Sequence, residues 1–399
     1  SVDILKNDVD GVEIYEVKSS TKIHDIYLDD ASYQYYILKE LGLNVKNVNI
    51  VYLNKEYFRN GELELNKLFN IEDVTNVAIK KQKEIKDKIE EINKYMSENN
   101  EKEPQKDIDM YCFNPYKCPY WQYCSRCLPT NNVFDIRKMS LNRKMKFYKN
   151  SIIKFEDIAK EKINPQYLEQ VLFEINNKSP KIEIDKIKDF MQTLTYPLYF
   201  LDFETFQLAV PEFDGTNSYM QIPFQYSLHH VDDINGKLYH KEFLAESGID
   251  PRRKLAEQLI EDIPYNACVL AYNMSFEKTV IKKLANYYED LHEDLMKIHD
   301  NIKDLMIPFY NRDYYVKEMK GSYSIKSVLP ALFPDDPELD YHNLPVVHNG
   351  GEASEAFLSL KNKSKDEQKE IRNGLLVYCE LDTYAMVKLW EKFKKIIGE

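Results

Sequence analysis

The stretch "YFLDFETF" places Asp202 and Glu204 one residue apart at the end of an apolar run. Alternate side chains of a strand share a face, so both carboxylates point the same way. Like charges on one face repel, which is tolerable where a strand runs out into solvent or where a divalent cation supplies the missing charge. Two further places favour the cation. In "CVLAYNMSFEKTV" an apolar strand leads into a helix with Asn273, Phe276 and Glu277 at the junction, and the carboxyl edge of the strands is where α/β sheets bind ligands. In "VYCELDTYAMVKLW" Tyr378 and Asp382 are four apart on a predicted helix, hence on one side of it. A third and a fourth carboxylate brought to the same place would strengthen the case for a divalent cation. Asp304, in "IKDLM", reads as a fallback acid for Glu277 or, in preference, as a helix cap or a contact behind the ligands. Lys326 reads either as a phosphate contact or as an ordinary surface lysine. Gly350, Gly351 and Glu352 form a tight loop near the site, with no role legible in them.

A second set lies near the N-terminus. Asp3 opens one strand, Glu16 and Lys18 are same-face residues of the next, and Gln34 follows on a helix. A carboxylate pair with a lysine is the minimum for a metal-bound water with a cation at the scissile phosphate; a cross-strand salt bridge in a surface hairpin is the alternative. "CFNPYKCPYWQYCSRC" then spaces Cys112, Cys118, Cys124 and Cys127 so that four thiolates fall within sixteen residues, enough for tetrahedral Zn²⁺ or a [4Fe-4S] cluster. Cys268 and Cys379 lie in apolar runs and read as core.

The elements that must position these residues follow from periodicity and turn signals. "VDILKNDVDGVEIYEVKSS" reads as a hairpin, "DDASYQYYILKELG" as a helix, "VNIVYLN" as a buried strand, and 72–98 as a long charged helix ended by "NNEKEPQK". Residues 131–195 read as a helical connector with one basic face, carrying seven Lys or Arg and no acid between 136 and 154. A second core begins at "YPLYFLDFETF" and continues with two strands about an Asn-Gly turn, a helix over 252–262, a buried strand, a helix over 275–298 and a final helix "GLLVYCELDTYAMVKLWEKF". Strands first and helices interleaved afterwards predict an α/β fold, divided as 1–130, 131–195 and 196–399.

Bulk properties agree with two cores in 399 residues, and no apolar stretch is long enough to span a membrane. The N-terminus lacks a basic region followed by an apolar core, so a cytoplasmic location is expected. The chain starts with Ser, and "VDIL" reads like the middle of a strand, which suggests a processed or truncated form. A net charge of −12 excludes a generally basic nucleic-acid binder and leaves only local basic patches for phosphate.

Taken together, Asp202-Phe203-Glu204, Asn273-x-x-Phe276-Glu277 and Tyr378-x-x-x-Asp382 resemble the three motifs of the DEDD exonucleases, the DnaQ-like proofreading branch of the RNase H-like fold, and the tyrosine places them with the DEDDy type. The resemblance spans roughly residues 195–395. It implies that Asp202, Glu204, Glu277 and Asp382 bind two Mg²⁺ or Mn²⁺ ions, that Tyr378 orients the attacking water, and that DNA or RNA is hydrolysed from a 3′ end, with DNA favoured, in repair or phage defence. It departs at Glu277, where the family has Asp. Residues 1–130 resemble an N-terminally truncated RecB-type PD-(D/E)XK nuclease of the restriction-endonuclease-like fold, which implies Asp3, Glu16, Lys18 and Gln34 as its catalytic set and an iron-sulfur cluster, rather than Zn²⁺, on the cysteines. Such domains have a helix and a strand before the first Asp that are absent from this chain, so an incomplete core is expected there. The whole arrangement resembles a bacterial family of uncharacterised proteins. The alternative expectation is a nucleic-acid-binding module with an impaired second motif, or a scaffold held by the cysteine cluster.

Overall fold

The computed structural model describes residues 1–98, 103 and 106–398, which form two compact units. The first comprises Ser1–Arg126 together with Gln207–Met220, the second Cys127–Phe206 and Gln221–Glu399. Both are mixed α/β structures. No helix among the described residues is long and apolar enough to cross a membrane.

In the first unit the expected hairpin is present as β1 (Ile4–Asp8) and β2 (Gly11–Lys18). Helix α1 (Asp25–Glu40) follows, then β3 (Val45–Leu53), the single turn α2 (Leu65–Leu68), β4 (Phe69–Asp73), α3 (Thr75–Glu98) and the short α4 (Trp121–Cys124). The sheet order is β1-β2-β3-β4, parallel only between β2 and β3. Alternation along β2 buries Val12, Ile14 and Glu16 together under α1 and α3. The long helix starts later than its periodicity suggested, because Glu72 and Asp73 pair with Ile50 and Asn49 of β3. Its expected stop lies almost wholly outside the described residues. The segment 207–220 joins this unit through backbone ties between Arg59 and Gly215 and Thr216, and through Tyr219 packed against Leu53, Tyr57 and Leu68.

The second unit begins with α5 (Leu141–Lys149), the short α6 (Phe155–Ile158), α7 (Pro165–Ile175), the two-residue β5 (Lys181–Ile182) and α8 (Ile184–Met191). This is the expected connector, and it is built into the unit: Phe173, Ile187 and Met191 share a core with Phe200, Leu270 and Trp390. The main sheet contains β6 (Leu198–Phe206), β7 (Ile222–Val231), β8 (Tyr239–Leu244), β9 (Cys268–Ala271) and β10 (Ile302–Asp304), in the order β10-β9-β6-β7-β8. Strands β6, β9 and β10 are parallel, whereas β7 and β8 return antiparallel. Helix α9 (Arg252–Asp262) falls where it was expected.

The helix expected over 275–298 is two, α10 (Ser275–Tyr287) and α11 (His292–Asp300). Tyr288 is extended at the break, and the guanidinium groups of Arg252 and Arg253 lie over the rings of Tyr287 and Tyr288. The remaining elements are the short α12 (Ile307–Tyr310), β11 (Tyr314–Tyr315) paired with β5, α13 (Ile325–Leu332), α14 (Gly350–Ser359) and α15 (Lys365–Ile397).

Helix α15 positions the site. Its 33 residues extend the predicted helix in both directions, from a Ser364/Glu367 capping box to Gly398 in the left-handed conformation. The helix is tied to β7 where Gln225 Nε2 donates to the Leu375 carbonyl at 2.8 Å. Gly374 lies where an added Cβ would come 2.6 Å from Val346 Cβ. Gly374→Ala would gain about 1 kcal/mol of helix propensity and lose roughly 1–3 kcal/mol to overpacking. We expect a net loss, seen as a melting temperature lower by a few degrees; an unchanged or raised value would mean that the 346 loop gives way freely.

Candidate metal centre

Strand β6 carries Asp202 and Glu204, opposite Ser227 and Gln225 of β7 with no register break between the two acids. They therefore share a face of the sheet, as strand alternation requires, and that face lies beneath α15. From α15 comes Asp382, and one carboxylate oxygen each of Asp202, Glu204 and Asp382 lie within 4.8 Å of one another. Tyr378, one turn earlier, is buried beside them, with its ring 6.2 Å from that of Tyr341.

Glu277 approaches from the first turn of α10, beyond the carboxyl end of β9. The turn that aims it has Asn273 at φ 69°, a conformation that Asn tolerates better than most residues. Asp304, the last residue of β10, holds this turn: its carboxylate accepts the Asn273 and Met306 N–H groups at 2.9 Å and that of Met274 at 3.3 Å. The expectation of a cap behind the ligands describes this residue. Glu277 Oε2 is buried and has no hydrogen-bond partner. Glu277 itself is not among the three acids whose oxygens converge within 4.8 Å.

The electrostatics follow from burial and proximity. Burial first, then the charge of Asp382, raises the Glu204 carboxyl from 4.5 to about 8, against a smaller pull from Lys326. Burial raises Glu277 to about 8, with Asp304 adding to the effect. Asp382 rises only to about 6, because Tyr341, Lys326 and Tyr378 oppose its burial. Asp202 is pushed well above the carboxylate range by burial and by the other three acids. Burial and the same carboxylates hold the Tyr378 phenol protonated.

Sequence reasoning missed Tyr341 here and read Cys379 only as core. Tyr341 donates its hydroxyl to Asp382 Oδ1 at 2.5 Å, from a loop with no periodicity to mark it. Cys379, read as core, is buried with its sulfur 3.9 Å from Asp202 Oδ2. Lys326 sits with its ammonium 5.7 Å from the Tyr341 ring centroid, on the exposed side of the acids. A Cβ on Gly350 would stand 3.2 Å from Glu204 Oε2, so this glycine leaves the carboxylate room. Lys326 and Tyr341 also line a cleft of about 960 Å³, with Asp340, His342, Asn349 and Glu352.

In the first unit, Glu16 is buried with Oε1 2.7 Å from the Lys18 ammonium and Oε2 accepting from Gln34 Nε2 at 2.6 Å. Asp30, not singled out from sequence, completes the group by pairing with Lys18. Burial lowers the Lys18 ammonium, but Asp30 and Glu16 outweigh it and hold the group above its ordinary value. Asp3 accepts the Val17 N–H at 2.9 Å. The cysteines are placed differently. Cys112 is buried on a turn at Met110–Cys112, Cys118 is half-buried, Cys124 is exposed at the end of α4, and Cys127 is exposed at the start of the second unit. Exposure differs along the excursion, from buried Cys112 to exposed Cys124.

Over residues 199–324 the chain matches the model of a domain of unknown function, DUF2779. That region holds Asp202, Glu204 and Glu277 and ends before Tyr378 and Asp382. An uncharacterised protein of Ureaplasma parvum, UU173, is 25% identical over 268 residues, which are 61% of this chain and 38% of that protein. No solved structure matches with significance.

The raised carboxyls have a thermodynamic sign. Unfolded, these groups titrate near their ordinary values of 3.8–4.5, whereas folded Asp382 titrates at about 6 and Glu204 and Glu277 at about 8. Between those limits the folded state binds more protons than the unfolded one, so this contribution to stability is lost as pH rises towards 8. In a chelator, Asp202→Asn is expected to melt several degrees above wild type at pH 8 and close to it at pH 5. Mn²⁺ should raise the wild-type melting temperature at pH 8 and the variant's much less. A variant less stable than wild type at pH 8 would show that the carboxylates do not repel.

Proposed function

We propose that this protein is a metal-dependent nuclease of the 3′-to-5′ exonuclease type, its second unit an RNase H-like, DEDDy-type domain hydrolysing DNA or RNA. The observation that carries the reading is the convergence of Asp202, Glu204 and Asp382 from β6 and α15, with buried Glu277 Oε2 lacking a partner beside them. An all-oxygen donor set suits a hard cation such as Mg²⁺ or Mn²⁺, and both the repulsion among the acids and the orphaned oxygen are what such a cation relieves. Asp202, Glu204, Glu277 and Asp382 would hold it. When bound, the metal supplies an activated water and charge for the leaving oxygen.

The remaining work falls to the protein. Tyr341 fixes the orientation of Asp382 through its 2.5 Å hydrogen bond. Tyr378, kept protonated by burial and its acidic neighbours, is placed to orient a water by donating or accepting one hydrogen bond. Lys326 offsets part of the negative field at the mouth of the site and offers a contact for phosphate. The adjoining cleft is of a size that takes a nucleotide.

For the first unit we propose a restriction-endonuclease-like core without activity. Both Glu16 oxygens are already engaged, one by Lys18 and the other by Gln34.

One observation favours the rival reading, a nucleic-acid-binding module holding at most one metal: Glu277 lies outside the converged trio. Calorimetry with Mn²⁺ separates the two, since the enzyme requires two ions and the binder at most one. The direct test is nucleotide release from 3′-labelled single- and double-stranded DNA and RNA in Mn²⁺ or Mg²⁺. Asp202→Ala should reduce it on the order of 10³-fold or more, and Tyr378→Phe on the order of 10²-fold. Equal hydrolysis by wild type and Asp202→Ala would end the proposal.

A further inference from the structure

Strands β7 and β8 place His229 directly opposite His240, on the sheet face that α15 covers. The two rings lie 4.5 Å apart between centroids. Glu380 of α15 reaches towards them, and one nitrogen of each ring and a Glu380 carboxylate oxygen lie within 4.8 Å of one another. His229 is buried, His240 half-buried and Glu380 exposed, so the group opens to solvent on the carboxylate side.

One consistent pattern of donors runs through the group. Thr383 Oγ1 is 3.0 Å from the Glu380 carbonyl, which can only accept, so the single threonine proton goes there. The other two neighbours of that oxygen, Ser227 Oγ at 2.7 Å and His229 Nδ1 at 2.8 Å, must then donate to it. With its proton committed to Thr383, Ser227 must accept from His240 Nε2, 2.9 Å away. In this pattern His229 donates from Nδ1 and His240 from Nε2, so the other nitrogen of each ring, His229 Nε2 and His240 Nδ1, takes no part in these hydrogen bonds. Ring nitrogens held this way by hydrogen bonds on the far side are the usual setting of metal-binding histidines.

His240 Nδ1 is 3.8 Å from Glu380 Oε1, too far for a hydrogen bond. It is close to the roughly 3.3 Å that separates two ligands of a tetrahedral zinc with bonds near 2.0–2.1 Å.

We propose that His229, His240 and Glu380 form a second metal site, separate from the four acids, that binds Zn²⁺ or a similar imidazole-preferring dication and ties α15 to the β7–β8 hairpin. Two imidazoles and one carboxylate leave a fourth position for water. The all-oxygen centre and this one differ in hardness, so Mg²⁺ and Zn²⁺ are expected to sort between them. The proposal does not depend on nuclease activity.

The test is zinc binding to the full-length, metal-stripped protein in excess Mg²⁺, by competition with a chromophoric chelator. Wild type should bind one more equivalent of Zn²⁺ than either His240→Ala or Glu380→Gln, both of which alter solvent-accessible side chains. Asp202→Asn should bind as much as wild type, and Thr383→Val, which removes the hydroxyl facing His229 Nδ1, should weaken the site by about 10–100-fold. Cobalt replacing the zinc should show visible bands without a thiolate charge-transfer component, which separates this site from the cysteines. Equal stoichiometry in wild type, His240→Ala and Glu380→Gln overturns the proposal, as does loss of the extra equivalent in Asp202→Asn alone.

Discussion

Four carboxylates in one poorly solvated recess repel one another, and much of the second unit is arranged so that they stay there. Each is held by a different device. Asp202 and Glu204 are fixed by the pairing of β6 with β7, just beyond the stretch Leu198–Phe200 that pairs with β9 as well. Asp382 is fixed by α15 and by the hydroxyl of Tyr341. Glu277 is aimed by a turn whose two backbone N–H groups, those of Asn273 and Met274, close on Asp304. Gly350 leaves space beside Glu204 where any side chain would crowd it. Such strain persists only where the surrounding structure over-determines it, and a bound cation is the simplest agent that would relieve it.

Helix α15 organises two chemistries at once. Tyr378 and Asp382 project towards β6, whereas Glu380 and Thr383 meet β7 and β8. The oxygen donors and the imidazoles are therefore kept apart by one helix, within a few residues of each other in sequence. A shift of α15 along its axis would disturb both groups, which gives structural weight to its ties at Gln225 and to the close approach of Gly374 to Val346.

The first unit solves the burial of charge the other way. Glu16 is as buried as Glu204, yet it meets an ammonium and an amide, and the second acid of the group, Asp30, pairs with that same ammonium. A buried charge paired and hydrogen-bonded in this way is stable without a ligand, and the contrast between the units is one of compensation rather than of residue type.

Short-range periodicity determined a good deal by itself. Alternation in "LDFET" and the four-residue step from Tyr378 to Asp382 are properties of isolated strands and helices, and both were legible before any fold was known. The hairpin at the N-terminus and α9 were legible for the same reason. What remained hidden depends on residues distant along the chain. Tyr341 is 41 residues from the Asp382 it holds, and His229 and His240 acquire meaning only from a strand register and a helix laid across it. The break at Tyr288 was decided by tertiary packing against local pattern. So was the passage of 207–220 into the first unit, since nothing in a segment's own sequence says which core it will cover. Sequence alone supplied the acids and their local facing; the tertiary structure decided which of them meet, because repulsion, burial and hydrogen bonding act across distances that no local period records.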